Sequence, residues 1–236
     1  MTHVAIFTQW DCQLNCEYCS IRHSKIGRTV KGVDWQAWAN GLTAALPRGS
    51  LVDIAGGEPF LYEGLLPLCG RLGQAGMYWA ITTNAKATEA IEEFCRIQPN
   101  GGVCFNVSDH TGNPEAHENI QKLRAAGWQV NVHRVDHPAA GHHEPDAMII
   151  TYQDWKGGRA VDGIKRNCTA GINHWVADPA GNLWRCVVAL ETGQPPMGNL
   201  FSRKVTKGKL LCDFGCTTCY TENPREWEVE MREVVT

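Results

Sequence analysis

Nowhere does this chain carry an apolar run near the ~20 residues that a membrane span requires, so no membrane partner is expected. Its opening, MTHVAIFTQWDC, lacks the basic segment and long apolar core of an export signal. A soluble protein of the cytoplasm is the expectation. A large excess of either charge is also missing. The 22 Lys and Arg against 25 Asp and Glu leave a net charge of −3, which argues against a generally basic nucleic-acid binder. No internal repeat and no low-complexity segment occurs, which excludes solenoid arrays and disordered tracts.

What remains is 236 residues of globular composition, long enough for one α/β domain with a small appendage and too short for two large ones. Strand-like runs at about 3–8, 51–55, 78–83, 102–107, 128–134 and 147–152 alternate with helical periodicity at 34–45, 63–74, 87–97 and 113–126. The pattern predicts a partial (β/α)6 barrel with a parallel sheet. The connection 136–146 is too rich in Pro, Gly and Asp for a helix. After Trp155 the alternation stops. Short strands at 173–177 and 183–188 around the turn from Asp178 to Gly181 predict a small C-terminal β-hairpin, dividing the chain into domains 1–155 and 156–236.

Cysteine is frequent for a chain of this length. Eleven cysteines with no export signal point to metal rather than disulfides, and most of them fall into two groups. Cys12, Cys16 and Cys19 lie in a loop directly after the first strand. Three thiolates on a soft metal centre suit an iron–sulfur cluster with one iron left open to a substrate. The alternative, a structural zinc loop, needs four ligands, and no partner pair lies nearby. Cys69, Cys95 and Cys104 occupy helical or strand positions and read as small apolar residues.

The spacing CxxxCxxC with Tyr18 before the last cysteine resembles the signature of the radical S-adenosylmethionine superfamily. Gly56-Gly57-Glu58-Pro59 follows the second strand and resembles that superfamily's GGEP motif, whose backbone contacts the amino group of the cofactor's methionine. Thr82, Thr83 and Asn84 at the end of the third strand, and Asn106 and Ser108 at the end of the fourth, resemble positions that face the methionine or ribose; they also read as ordinary turn residues. The resemblance covers roughly residues 3–152. The fifth strand, from Val130 to Val135, lacks the glycine and glutamate that many members show there.

Cys168, Gly181 and Cys186 are spaced as in the CX9-15GX4C element of the SPASM and twitch auxiliary-cluster domains, and Gly198-Asn199-Leu200 follows. Five cysteines in this part suit one cluster, as in a twitch domain. By that resemblance Cys168, Cys186, Cys216 and Cys219 hold an auxiliary [4Fe-4S] cluster, with Cys212 as alternative ligand, beside the catalytic [4Fe-4S] cluster and S-adenosylmethionine. Zinc is the competing reading of this group.

The resemblance implies reductive cleavage of S-adenosylmethionine to a 5′-deoxyadenosyl radical that removes a hydrogen atom from a substrate, with electrons from a donor such as flavodoxin or ferredoxin. The leading expectation is oxidation or rearrangement of a small polar metabolite. The stretch Arg22, Lys25, Arg28 and Lys31 would suit an anionic substrate, leaving a nucleotide or nucleic-acid base as a second substrate class, or is a solvated face. Peptide modification and glycyl-radical activation are further alternatives, as is a plain electron carrier. Asp109, His133, Arg134 and Tyr152 are the expected catalytic candidates, with Asp136 and Asp154 also at strand ends. His137, His142 and His143 read as an exposed loop.

Overall fold

The computed structural model describes residues 2–17, 19, 33–110, 113–136, 148–151, 166–167, 170–202, 204–205 and 211–212. Six strands run parallel in sequence order: β1 (His3–Phe7), β2 (Leu51–Ala55), β3 (Tyr78–Thr83), β4 (Gly102–Asp109), β5 (Val130–Asp136) and β6 (Met148–Thr151). Four helices follow the first strands: α1 (Trp35–Ala45), α2 (Leu65–Gln74), α3 (Thr88–Ile97) and α4 (Glu115–Ala125). This is the expected open partial barrel. Between β2 and α2 a short 3-10 turn, Pro59–Leu61, intervenes, so the expected helix over 63–74 begins later, at Leu65.

Alternation along the strands decides which face each residue takes. Val4 and Ile6, Val52 and Ile54, Trp79 and Ile81, Phe105 and Val107, and Val132 form one core with Trp38, Leu42, Leu68, Leu72, Ile91, Phe94, Ile120 and Leu123 of the helices. The residues between them therefore line the opposite, concave face: Ala5, Asp53, Ala55, Ala80, Thr82, Cys104, Asn106, Ser108, Asn131 and His133. That face is polar on β2 to β5, while the helix side is aliphatic and aromatic. Such a division is stable only if the concave face meets water or a ligand.

The C-terminal part joins the same sheet. β8 (His174–Ala177) pairs parallel with β1, and β9 (Asn182–Trp184), β10 (Gly198–Asn199) and β11 (Lys204–Val205) continue antiparallel from it. The hairpin turn is built as the sequence predicts: Asp178 accepts from Ala180 N, Asn182 N and Asn182 Nδ2, and Gly181 takes φ +77 against the ring of Phe201. The second expected strand, 183–188, is a correction. It stops at Trp184, and Val187–Glu191 form a short helix, α5, because Ala189 and Leu190 turn inward to pack on Phe7, Trp10 and Val176. A separate two-stranded ladder pairs β7 (Arg166–Asn167) with β12 (Leu211–Cys212). Among the described residues, no helix is long and apolar enough to cross a membrane.

Where β1 meets β8, His3 and His174 stand opposite each other with their Nδ1 atoms 2.9 Å apart, so one ring donates to the other. Burial pushes His3 down to about 4; burial and then the charge of His3 push His174 down to about 3. Unfolded, each titrates near about 6.5. Because the unfolded chain takes up these protons first, the pair's contribution is full above that value. It is lost as pH falls toward 4, by up to about 1.4 kcal/mol per pH unit for each ring. Urea midpoints measured from pH 8 to 4.5 should fall accordingly, and a His3→Phe/His174→Leu variant should flatten the decline.

Candidate functional site

The C-terminal ends of β1 to β4 converge on one rim of the sheet. From β1 the chain passes through Thr8, Gln9 and Trp10 into the cysteine loop, and from β2 it turns at Gly56 and Gly57. The two segments are laced together. Thr8 N donates to Ala55 O at 3.1 Å, Gly57 N to Gln9 O at 2.9 Å, Glu58 N to Asp11 O at 2.8 Å and Gln9 Nε2 to Glu58 O at 3.0 Å. Gly56 has φ +144, and a Cβ there would lie 2.6 Å from Gln9 O; one on Gly57 would overlap Asp11 O. The glycines thus admit the cysteine loop itself, and the N–H groups of Gly57 and Glu58 are used in holding it.

Cys12 is exposed and Cys16 and Cys19 are half-buried. Leu14 N and Asn84 Nδ2 reach the Cys12 sulfur at 3.4 and 3.5 Å, and Nδ1 of His110, just past β4, stands 3.6 Å from the Cys16 sulfur. Burial pushes the Cys12 thiol up, and the Leu14 N–H works against it; the charges of Glu58 and Cys19 add to the rise. Among the described residues no three His, Cys, Asp or Glu side chains are grouped for a single ion. Three thiols on one short loop fit an iron–sulfur cluster by their chemistry, and Cys12, Cys16 and Cys19 are the residues that would hold it.

Glu58 is fully buried and its side chain is occupied. Oε1 accepts from Phe60 N at 3.0 Å and Thr83 Oγ1 at 2.6 Å, and Oε2 accepts from Asn84 N at 2.8 Å. Burial raises its pKa, and these three donors oppose the rise. The carboxylate therefore ties the Gly-Gly turn to the end of β3 and orients Asn84. Pro59 is buried at the start of the 3-10 turn.

On the concave face, Thr82 donates to Asp53 at 3.1 Å, Asn131 Nδ2 donates to Asn106 Oδ1 at 3.1 Å, and Ser108 is paired in register with His133. Burial lowers the pKa of His133. Asp109 and Arg134 share the alternation of Phe105, Val107 and Val132; Asp109 is buried at the end of β4, and Arg134 is paired with it in register. Tyr18, Tyr152, Asp154, His137, His142, His143, Cys168, Cys216, Cys219, Arg22, Lys25, Arg28 and Lys31 lie outside the described residues.

Asp53 and His110 were missed by the sequence reading. Asp53 interrupts the otherwise apolar strand LVDIA, which was the available signal. It sits between Ala5 and Ala80 in register, and burial raises its pKa to about 6 against the Thr82 hydrogen bond. Cys186 stands at the start of α5 and packs, with Val187, Ala5 and Ala55, against the cluster formed by Phe7, Trp10, Val176, Trp184, Ala189 and Leu190. One apolar cluster thereby joins the first cysteine loop, through Trp10, to the segment of Cys186. Cys212 pairs through its backbone with Arg166, two positions before Cys168 in the chain.

Solved structures with this architecture include SuiB of Streptococcus suis bound to its precursor peptide SuiA, at TM-score 0.65 and 15% identity, covering 86% of this chain and 63% of that one. BtrN in complex with AdoMet and 2-DOIA matches at TM-score 0.58 and 17% identity over 86% of this chain and 79% of its own. Native anSMEcpe with bound AdoMet matches at TM-score 0.56 and 10% identity, again over 86% and 79%. No protein-family model matches the chain, and no curated protein does. The neighbours are radical S-adenosylmethionine enzymes, and this chain has their fold. It spans less than two thirds of the length of SuiB.

Proposed function

We propose that the chain is a radical S-adenosylmethionine enzyme acting on a small polar metabolite in a reducing cytoplasm, by oxidation or rearrangement, with electrons from a flavodoxin or ferredoxin. The observation that carries the reading is the lacing of the CxxxCxxC loop onto the Gly56-Gly57 turn, directly above a polar concave face. Cys12, Cys16 and Cys19 would hold the catalytic [4Fe-4S] cluster. When bound, the cluster and S-adenosylmethionine supply a 5′-deoxyadenosyl radical able to take a hydrogen atom from an unactivated carbon.

The chain's own residues then have separate duties. The Gly56-Gly57 turn offers carbonyl groups, which an ammonium group requires, while the N–H groups of Gly57 and Glu58 are already engaged with the loop. Glu58 keeps that turn and Asn84 in register. Thr82, Asn106, Ser108, Asn131 and His133 offer neutral hydrogen-bonding groups to a ribose or a polyhydroxylated substrate. Asp53 offers a carboxyl that can bind a hydroxyl or an amine between two alanines. Cys168, Cys186, Cys216 and Cys219, with Cys212 in reserve, would form the auxiliary cluster, and the packing of the Cys186 segment on Trp10 supports a position near the substrate.

The test is anaerobic reconstitution followed by incubation with S-adenosylmethionine and dithionite. About eight irons per chain are expected, falling to about four when Cys12, Cys16 and Cys19 are replaced by Ala. Deoxyadenosine should form slowly alone and faster with the substrate. Absence of deoxyadenosine from protein loaded with iron would overturn the reading. Asp53→Asn should leave the uncoupled formation unchanged and raise KM for the substrate about tenfold or more, the loss of one charged hydrogen bond.

A second reading, modification of a peptide, is favoured by one observation: SuiB and anSMEcpe were solved with peptides bound. Peptide-dependent deoxyadenosine formation, with no response to aminocyclitols or sugars, would select it.

A further inference from the structure

We propose that Asn84 and His110 are hydrogen-bond donors to the thiolates of Cys12 and Cys16, set there to raise the reduction potential of the cluster which those thiolates hold. The inference rests on the reading of the cysteine loop as a cluster site. It concerns the residues just past the ends of two other strands, β3 and β4, and assigns them a duty besides contact with S-adenosylmethionine.

The geometry is built rather than incidental at Asn84. Its backbone N–H is taken by Glu58 Oε2 at 2.8 Å, its carbonyl by Asn113 Nδ2 at 2.5 Å, and its Oδ1 by Lys86 N at 2.9 Å. With the amide oxygen so committed, the NH2 group must point the other way, where it meets Cys12 Sγ at 3.5 Å and Gln13 Oε1 at 3.5 Å. The next residue, Ala85, is held at φ +54, in the left-handed region that an alanine adopts only at a cost. Thr83 Oγ1 accepts from Ala85 N at 2.9 Å, and Asn119 Nδ2 donates to Ala85 O at 2.9 Å. Five side chains, Glu58, Thr83, Asn113, Asn119 and Asn84 itself, thus fix a strained turn whose free product is one N–H group aimed at sulfur.

His110 approaches from β4. A cluster-bound thiolate accepts hydrogen bonds and cannot donate, so the contact of 3.6 Å between Nδ1 and Cys16 Sγ requires the proton on Nδ1. With Leu14 N at 3.4 Å from Cys12 Sγ, three N–H dipoles then face two of the three sulfurs. Reduction adds negative charge that spreads onto the sulfurs, and N–H dipoles aimed at them stabilise the reduced form more than the oxidised one. Hydrogen bonds to sulfur and solvent exposure are the terms by which a protein tunes such a cluster.

The experiment is an EPR-monitored redox titration of the reconstituted full chain, with the catalytic signal identified as the one that changes on adding S-adenosylmethionine. His110→Phe keeps the ring and loses the donor; Asn84→Asp keeps the acceptor for Lys86 N and replaces the donor with an acceptor. Each should make reduction about tenfold less favourable, a fall of about 59 mV for one electron, with iron content unchanged. His110→Asn, which returns an N–H near the position of Nδ1, should recover most of the shift. Unchanged potentials in fully loaded variants would overturn the proposal. So would a loss of iron shared equally by His110→Phe and His110→Asn, since that pattern means packing rather than donation. If the iron of the unaltered chain is indifferent to replacing Cys12, Cys16 and Cys19, the cluster reading itself fails and this inference falls with it.

Discussion

Gly57→Ala should strip the cysteine loop of most of its iron and lower deoxyadenosine formation by about a hundredfold or more, while far-UV circular dichroism stays as it was. The added methyl would overlap the Asp11 carbonyl, a backbone atom in a segment held at both ends by hydrogen bonds to the turn. It has no flexible neighbour to push aside. Displacing the loop by about an ångström is enough to cost that factor in a site whose chemistry depends on position. Gly70, in the middle of α2 with nothing within 4 Å of an added Cβ, is the matched control. Gly70→Ala should leave iron loading intact and stabilise the fold by about 0.5–1 kcal/mol. Full activity in Gly57→Ala would mean that the loop does not need its close approach to the turn.

Glu58→Ala should be the most destabilising single change at the site, on the order of 3 kcal/mol, read as a fall in urea midpoint of the iron-free protein. It leaves Phe60 N, Thr83 Oγ1 and Asn84 N buried without their acceptor, and it opens a cavity at a fully buried position. Glu58→Gln keeps the volume but turns an NH2 group toward donors, so it should recover only part of the loss. The loaded enzyme should suffer further, because Asn84 is no longer held against Cys12. A Glu58→Ala protein as stable as the unaltered chain would show that water takes over the carboxylate's hydrogen bonds.

The barrel was legible because each of its strands is a short β-branched run between helical stretches, a contrast of period that tertiary context had no reason to override. The loop cysteines and the Gly-Gly turn were legible because their spacing is local. Side-chain direction was harder. Asp109 and Arg134 are expected to face the site from their place at strand ends, and β4 and β5 run two residues further than the apolar pattern suggested, to Asp109 and Asp136, which puts both residues inside the ladder. Asp53 was passed over because it sits inside a strand rather than at its end. His110 gains its role only through a partner 94 positions away, which no local pattern encodes. The second hairpin strand was read too long because Val187 and Val188 look like strand residues; packing on Trp10 and Phe7 bends them into a helix instead.

The pairing of β1 with β8 has a consequence for how the molecule comes into being. Strand β1 precedes both of its sheet neighbours in the chain, and the one on one side, β2, follows within fifty residues. Its neighbour on the other side arrives only at His174. Between the synthesis of β1 and that of β8, then, the strand that carries the cysteine loop is a bare sheet edge with Phe7 and Trp10 uncovered, the condition in which strands pair with the wrong chain. Closing that edge requires a contact between residues 171 positions apart, which is slow to find. The cysteine loop is laid down well over a hundred residues before the strand that shelters it.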